Sequence, residues 1–220
     1  MDYLKLMKER HSVRKYLPKA IEPEKAAELN AYIAELNEKY DMSIRLVEGE
    51  HIFEKAVLGY GMIKGCGNYL YISGKDDDNL DERAGYVGEL IVLKAQDMGL
   101  NTCWVGGFFR KKSVTYSHPS GHRFVLVIAI GYGENQGSVA KTKTFDDVSL
   151  TKDAPEWYKK GIDAVLLSPS AINQKKWKFE LIGENKVKVT TANGPFAKTD
   201  VGIAKCHFEL GAGKTVLFSE

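Results

Sequence analysis

The sequence predicts an α+β protein, and three observations carry that prediction. Residues 22–40 set Ala26, Leu29, Ile33 and Leu36 on one stripe at helical spacing, with Pro23 in the first turn. Residues 123–133, "RFVLVIAIGYG", form a continuous apolar run of the kind that fills a strand buried on both faces. Residues 176–191, "KWKFELIGENKVKVTT", alternate in character and turn at Glu184-Asn185, which is a hairpin pattern.

The remaining elements come in chain order. Residues 2–10 hold Tyr3, Leu4 and Met7 at helical spacing. "SIRLVEG" reads as a short strand, residues 51–58 as a short helix, and "GCGNYLYISG" as a strand between glycines. Residues 80–98 predict a long helix, apolar on most sides in its middle, with Ala84, Gly85 and Gly88 small enough to let another backbone approach. Gly99 stops it. "NTCWVGGFF" is a strand ending in a Gly-Gly turn, and "SVAKTKTFDDV" is polar and irregular. A helix over 153–167 has Pro155 early and is broken by "SPSAINQ". "KTDVGIAKCHFELGAG" is a last helix and "KTVLFSE" is extended.

Composition narrows the function classes. The 220 residues suit one large domain or two small intertwined halves. A net charge of +2 with no long basic run argues against nucleic acid as the main partner and leaves room for a local anion site. Cys66, Cys103 and Cys206 are odd in number and lack Cys-x-x-Cys spacing, so neither a disulfide framework nor a zinc site is expected, and the reducing cytoplasm is the expected compartment. His118 and His122 flank Pro119 and Gly121, which spoils helical zinc geometry. The N-terminus has no apolar leader core, and no run of about 18 apolar residues predicts a membrane span.

The chain also echoes itself. "YVGELIVLKAQDMGLNTCWV" is matched later by "DVGIAKCHFELGAGKTVLF", and element order agrees across residues 20–105 and 155–218. Either two related halves are packed about a pseudo-two-fold axis, or the match is the coincidence any α+β chain offers.

Four stretches hold candidate chemistry. In "ERHSVRKY", an extended backbone puts Arg10, Ser12 and Arg14 on one face, two guanidinium forks and a hydroxyl suited to a phosphate, with His11 pointing elsewhere or adding a bond. A solvated basic turn is the plainer reading. Lys141 and Lys143 in "TKTFDDV" are a second cationic pair, or an ordinary surface pair. Gly106-Gly107 lets a backbone N–H approach a flat ligand, or simply makes a turn. In "SPSAIN", Ser168 or Ser170 suits a helix cap and Asn173 offers a planar donor–acceptor pair; a ligand-free loop is the alternative.

Together these pieces resemble the FMN-dependent nitroreductase family. "RHSVRKY" is similar to its early flavin-binding segment, "GELIVLKAQDMGLNTCWVGGF" to its central helix and following turn, and "FVLVIAIGYGENQGSVAKTKTFDDV" to its late strand and basic tail. "SPSAINQKKWKF" is similar to its Ser-Pro-Ser-x-x-Asn-x-Gln-Pro-Trp motif, with Lys175-Lys176 in place of Gln-Pro. The resemblance implies a nitroreductase-like α+β fold: a central mixed or antiparallel sheet with helices on both sides. In the family the Ser-Pro-Ser motif comes early and two subunits share each flavin site. Here it lies late, so the layout resembles a smaller, fused subgroup in which residues 151–220 replace the partner of residues 1–150 as an intrachain pseudo-dimer.

The same resemblance implies a flavin site and its chemistry. One FMN per chain draws on Arg10, His11, Ser12, Arg14, Gly106, Gly107, Lys141 and Lys143 from the first half, and on Ser168, Pro169, Ser170 and Asn173 from the second. No protein acid–base residue and no metal are required. NAD(P)H is the electron donor, and nitroaromatics, quinones or similar flat molecules are the acceptors, in a ping-pong hydride scheme. The protein is a monomer or a homodimer. A flavin store or sensor without turnover, or a flavin-remodelling enzyme, are the competing classes.

Overall fold

The computed structural model describes residues 1–53 and 63–219. In chain order the elements are α1 (Tyr3–Glu9), α2 (Pro23–Tyr40), β1 (Arg45–Val47), β2 (Tyr69–Lys75), α3 (Leu80–Asp97), β3 (Asn101–Val105), β4 (His122–Gly131), α4 (Phe145–Val148), α5 (Glu156–Leu167), β5 (Trp177–Gly183), β6 (Lys186–Thr191), α6 (Ala197–Ala212) and β7 (Leu217–Ser219). The α+β class and almost every expected element are present. The helix expected over 51–58 falls largely outside the described residues. The stretch read as irregular contains α4, which opens on a capping box: Thr144 and Asp147 satisfy each other's backbone and side-chain groups.

The chain divides into two compact units, residues 10–80 with 91–139, and residues 1–9 with 81–90 and 140–220. The first unit is built on a four-stranded antiparallel sheet in the order β1-β2-β4-β3. The apolar run supplies its inner strand: Val127, Ile128, Ala129 and Ile130 on β4 are all fully buried, as a strand covered on both faces requires. Around it lie Val13, Tyr16, Phe53, Tyr69, Cys103 and Phe109. In α2 the stripe Ala26, Leu29, Ile33 and Leu36 is buried, and the helix stops where Asp41 turns left-handed.

The second unit has a three-stranded sheet, β5-β6-β7, in which β5 and β6 form the expected hairpin and β7 joins β6 in parallel. Its core is aromatic. Phe208 of α6 stacks on Phe179 at 5.3 Å and meets the edge of Tyr158 at 5.4 Å. Gly161 makes room for that ring, because a Cβ there would lie 2.8 Å from it.

Within this unit, α6 crosses the first turns of α3 at backbone contact. A Cβ on Gly85 would sit 2.0 Å from the Thr199 carbonyl oxygen, and one on Gly202 would sit 1.9 Å from that of Glu82. Polar pairs line the crossing: Lys205–Glu82 at 2.5 Å, Tyr86–Glu209 at 2.6 Å, and the fully buried His207–Glu89 at 2.9 Å. His207 Nδ1 faces the Ala164 carbonyl, which only accepts, so Nδ1 carries a proton and Nε2 with Glu89 shares another.

Candidate functional site

In the first unit, residues 10–16 run extended alongside β3. Ser12 bridges Thr102, Lys15 bridges Lys64 and Tyr16 bridges Gly133. Val13 and Tyr16 turn into the core while Arg14 faces solvent. The extended backbone expected from "RHSVR" is therefore present, and Ser12, Arg10 and Arg14 all act on the Cys103 thiol of the neighbouring strand. Burial pushes the Cys103 thiol up, while the Arg14 charge, a hydrogen bond with Ser12 and the Arg10 charge pull it back. Cys103 is the member that sequence reasoning missed. Its signal was positional: it stands on "NTCWVGG", two residues after Asn101 and three before Gly106.

His11 takes a separate direction. It lies against Gly137, where a Cβ would stand 2.8 Å from the histidine Cβ. Burial and the adjacent Arg10 charge lower its pKa, which favours the neutral ring. Gly107 is exposed at the end of β3; a Cβ there would meet nothing within 4 Å, and its φ is not left-handed. Among the described residues, neither packing nor a left-handed backbone requires glycine at that point.

In the second unit, Lys141, Lys143 and the Ser-Pro-Ser loop come together. Asn173 Nδ2 donates to the Lys141 carbonyl at 2.7 Å, and Lys143 Nζ donates to the Lys175 carbonyl at 2.5 Å. Ser168 is 1% exposed and its hydroxyl donates to the Val165 carbonyl at 2.6 Å, so it closes the end of α5. Ser170 Oγ accepts the Lys175 N–H at 3.0 Å. Pro169 is half-buried between the two serines.

Lys175 does not behave as a surface lysine. It is 3% exposed, and its ammonium donates inward to the carbonyls of Leu166 at 2.8 Å and Ser168 at 2.5 Å. A cation at a helix C-terminus opposes the negative end of the helix dipole. Lys176 beside it is exposed. Three residues of the loop are left-handed without being glycine: Ile172 (φ 44), Asn173 (φ 57) and Lys175 (φ 46). Asp200, in the first turn of α6, accepts the Ala171 N–H at 3.0 Å with both carboxylate oxygens. No sequence motif singled it out.

Among the described residues no group of His, Cys, Asp and Glu could hold a metal, and no helix is long and apolar enough to cross a membrane.

A family model described as "Putative TM nitroreductase" matches residues 2–212. A putative nitroreductase structure from Thermotoga maritima superimposes with a TM-score of 0.71 at 19% identity, covering 96% of this chain and 83% of that one. A putative nitroreductase from Desulfovibrio desulfuricans in complex with FMN gives 0.55 at 17% identity, covering 70% and 99%. A putative NADH dehydrogenase/NAD(P)H nitroreductase from Parabacteroides distasonis gives 0.54 at 17%, again covering 70% and 99%. At such identities these likenesses establish a shared nitroreductase-like fold. A search of curated proteins returns no match.

Proposed function

We propose, for a chain that belongs to the Putative TM nitroreductase family, that it is an FMN-dependent oxidoreductase taking electrons from NAD(P)H and passing them to nitroaromatics, quinones or similar flat acceptors. The observation that carries this reading is the paired, extended backbone of residues 10–16, which sets Arg10, Ser12 and Arg14 alongside β3. Two guanidiniums and a hydroxyl fixed by paired backbone are a donor set suited to FMN. When bound, FMN supplies the electron-carrying ring. The chain supplies the rest. Arg10 and Ser12 hold a phosphate, Arg14 keeps a positive charge at the pyrimidine edge of a flat ring, and the open backbone at Gly107 lets that ring approach. Lys141 and Lys143 add cationic charge, and Pro169, Ser170 and Asn173 present the surface that the family's motif presents to flavin. His11 and Gly106 belong to this proposed set by their neighbours in sequence.

We further infer that residues 1–150 and 151–220 are related halves of a pseudo-dimer binding one FMN per chain. The order helix–strand–strand–helix–strand occurs twice, as α2-β1-β2-α3-β3 and α5-β5-β6-α6-β7. The first copy sets β2 and β3 parallel with β4 between them, and the second pairs β6 with β7 directly in parallel. Gly99 and Gly213, at the ends of α3 and α6, are both left-handed. The separation between them along the chain is the same as that between Gly85 and Thr199, which touch at the helix crossing. Contact between equivalent positions is what a two-fold arrangement produces. The protein works in the cytoplasm as a monomer or homodimer, without nucleic-acid or membrane partners.

The test is the visible spectrum of purified protein, before and after NADPH is added under nitrogen. Yellow protein that bleaches is expected. Bleaching by dithionite but not by NADPH or NADH would make it a flavin store. A colourless protein that takes up no added FMN would remove the flavin reading, and two equivalents of FMN per chain would remove the single site.

A further inference from the structure

We propose that Asp200 is a positioning residue whose carboxyl group latches the Ser168–Lys175 loop, and that its deprotonation loosens the loop and weakens flavin binding. The flavin part rests on the proposed function; the latch itself does not.

The loop needs holding. Ile172, Asn173 and Lys175 are all left-handed, a conformation unfavourable for non-glycine residues and most of all for a β-branched one. Ile172 is 81% exposed, so packing of its side chain does not fix it there. Polar ties do. Inside the loop, Ser170 Oγ takes the Lys175 N–H. From outside, Lys143 binds the Lys175 carbonyl, Asn173 reaches the Lys141 carbonyl, and Asp200 takes the Ala171 N–H on both oxygens at 3.0 Å. The Asp200 tie fixes the residue immediately before the first left-handed position.

Asp200 is also placed to change its charge. Lys175 and Lys176 of the loop face it. On α3, packed against the same helix, Glu82 is engaged by Lys205 and Glu89 by His207. Burial outweighs the Ala171 N–H and the two lysines, and raises the carboxyl from 3.8 to about 7. Below that value the neutral carboxyl sits in its buried place and still accepts the Ala171 N–H; above it the buried charge favours an opened loop that returns the carboxylate to water. The loop is therefore set at low pH and relaxed at high pH.

Amide hydrogen exchange of the loop in flavin-free protein, corrected for intrinsic rates, reads the latch directly at pH 6 and pH 8. Wild type should lose about fivefold or more of its protection at Ala171 as the pH is raised from 6 to 8. Asp200→Asn should show no such step, and Asp200→Glu should restore one. Equal pH ratios in wild type and Asp200→Asn would overturn the latch. FMN affinity is then titrated by flavin fluorescence at both pH values. The FMN phosphate itself titrates near pH 6, so the ratio of wild type to Asp200→Asn is the quantity read. That ratio should change about fivefold or more between the two pH values. FMN uptake with an unchanged ratio would sink the coupling and leave the flavin reading intact. A pH step at Ala171 without any FMN uptake would sustain the latch and remove the flavin reading.

Discussion

Residues 10–16 and residues 168–176 carry most of the candidate donors, and they are held by opposite means. The first segment is fixed by backbone pairing: Val13 N–H to Thr102 at 3.0 Å, Tyr16 N–H to Lys64 at 2.9 Å, and Lys64 N–H to Arg14 at 2.8 Å. None of its residues is left-handed, and Val13 and Tyr16 anchor it in the core. The second segment is held largely by side chains, including a buried ammonium and a titrating carboxylate, around three left-handed residues. Backbone pairing does not titrate and tolerates most side-chain changes. Side-chain ties are lost one residue at a time, and those with charged groups respond to pH. One region is preset, and the other is conditional.

The largest test of that contrast is Lys175→Met. It keeps the volume but removes the donor from the Leu166 and Ser168 carbonyls at the end of α5. We expect a loss of about 3 kcal/mol in unfolding free energy, read as a lower urea midpoint at unchanged slope. A shift under about 0.5 kcal/mol would mean that water replaces the ammonium and the loop does not depend on it. In the preset segment, Arg14→Ala should leave stability nearly unchanged because Arg14 is exposed. It should weaken FMN binding by about 2 kcal/mol and lower the flavin potential. Unchanged affinity and potential in that variant would remove Arg14 from the site.

The same contrast explains what could be read in advance. The extended "RHSVR" segment comes from alternation, the β5–β6 hairpin from strand pattern and turn residues, and the buried β4 from an unbroken apolar run. Each is a local pattern with a fixed period. The latch residues have no such period. Lys175 reads as a surface lysine until the fold turns it onto the α5 carbonyls, and Asp200 reads as a helix-start acid, 29 residues from the N–H it accepts. Left-handed Ile172 was invisible because nothing in a β-branched residue announces that conformation. Cys103 lay within a recognised strand, but its hydrogen bond with Ser12 depends on the pairing of residues 10–16 with β3.

Asp200→Asn reads stability and function together in the conditional region. With its carboxyl raised from 3.8 to about 7, the folded chain keeps a proton there that the unfolded chain has released. This contribution to stability is therefore present at low pH, falls as pH rises through the window from about 4 to about 7, and is flat above it. Asparagine removes that fall. At pH 8 the variant should be more stable than wild type by about 1–2 kcal/mol, and the latch predicts tighter FMN binding for it at that pH. Urea titrations of both proteins at pH 5 and pH 8 measure the difference directly. A stability gap that does not depend on pH would show that Asp200 is not the group that titrates.

The smallest effect is expected from Ile172→Gly, and its sign is the informative part. Glycine adopts φ 44 without the clash a side chain meets there, a relief on the order of 1–2 kcal/mol. Against it stands glycine's greater freedom in the unfolded chain, roughly 0.5–1 kcal/mol. Because the isoleucine side chain is 81% exposed, its removal gives up little packing. The balance is a gain of about 1 kcal/mol or less, visible as a small rise in Tm. A fall in Tm would mean that Ile172 is held in place by contacts of its own rather than by the ties around it, and the distinction between the preset and the conditional segment would lose its basis.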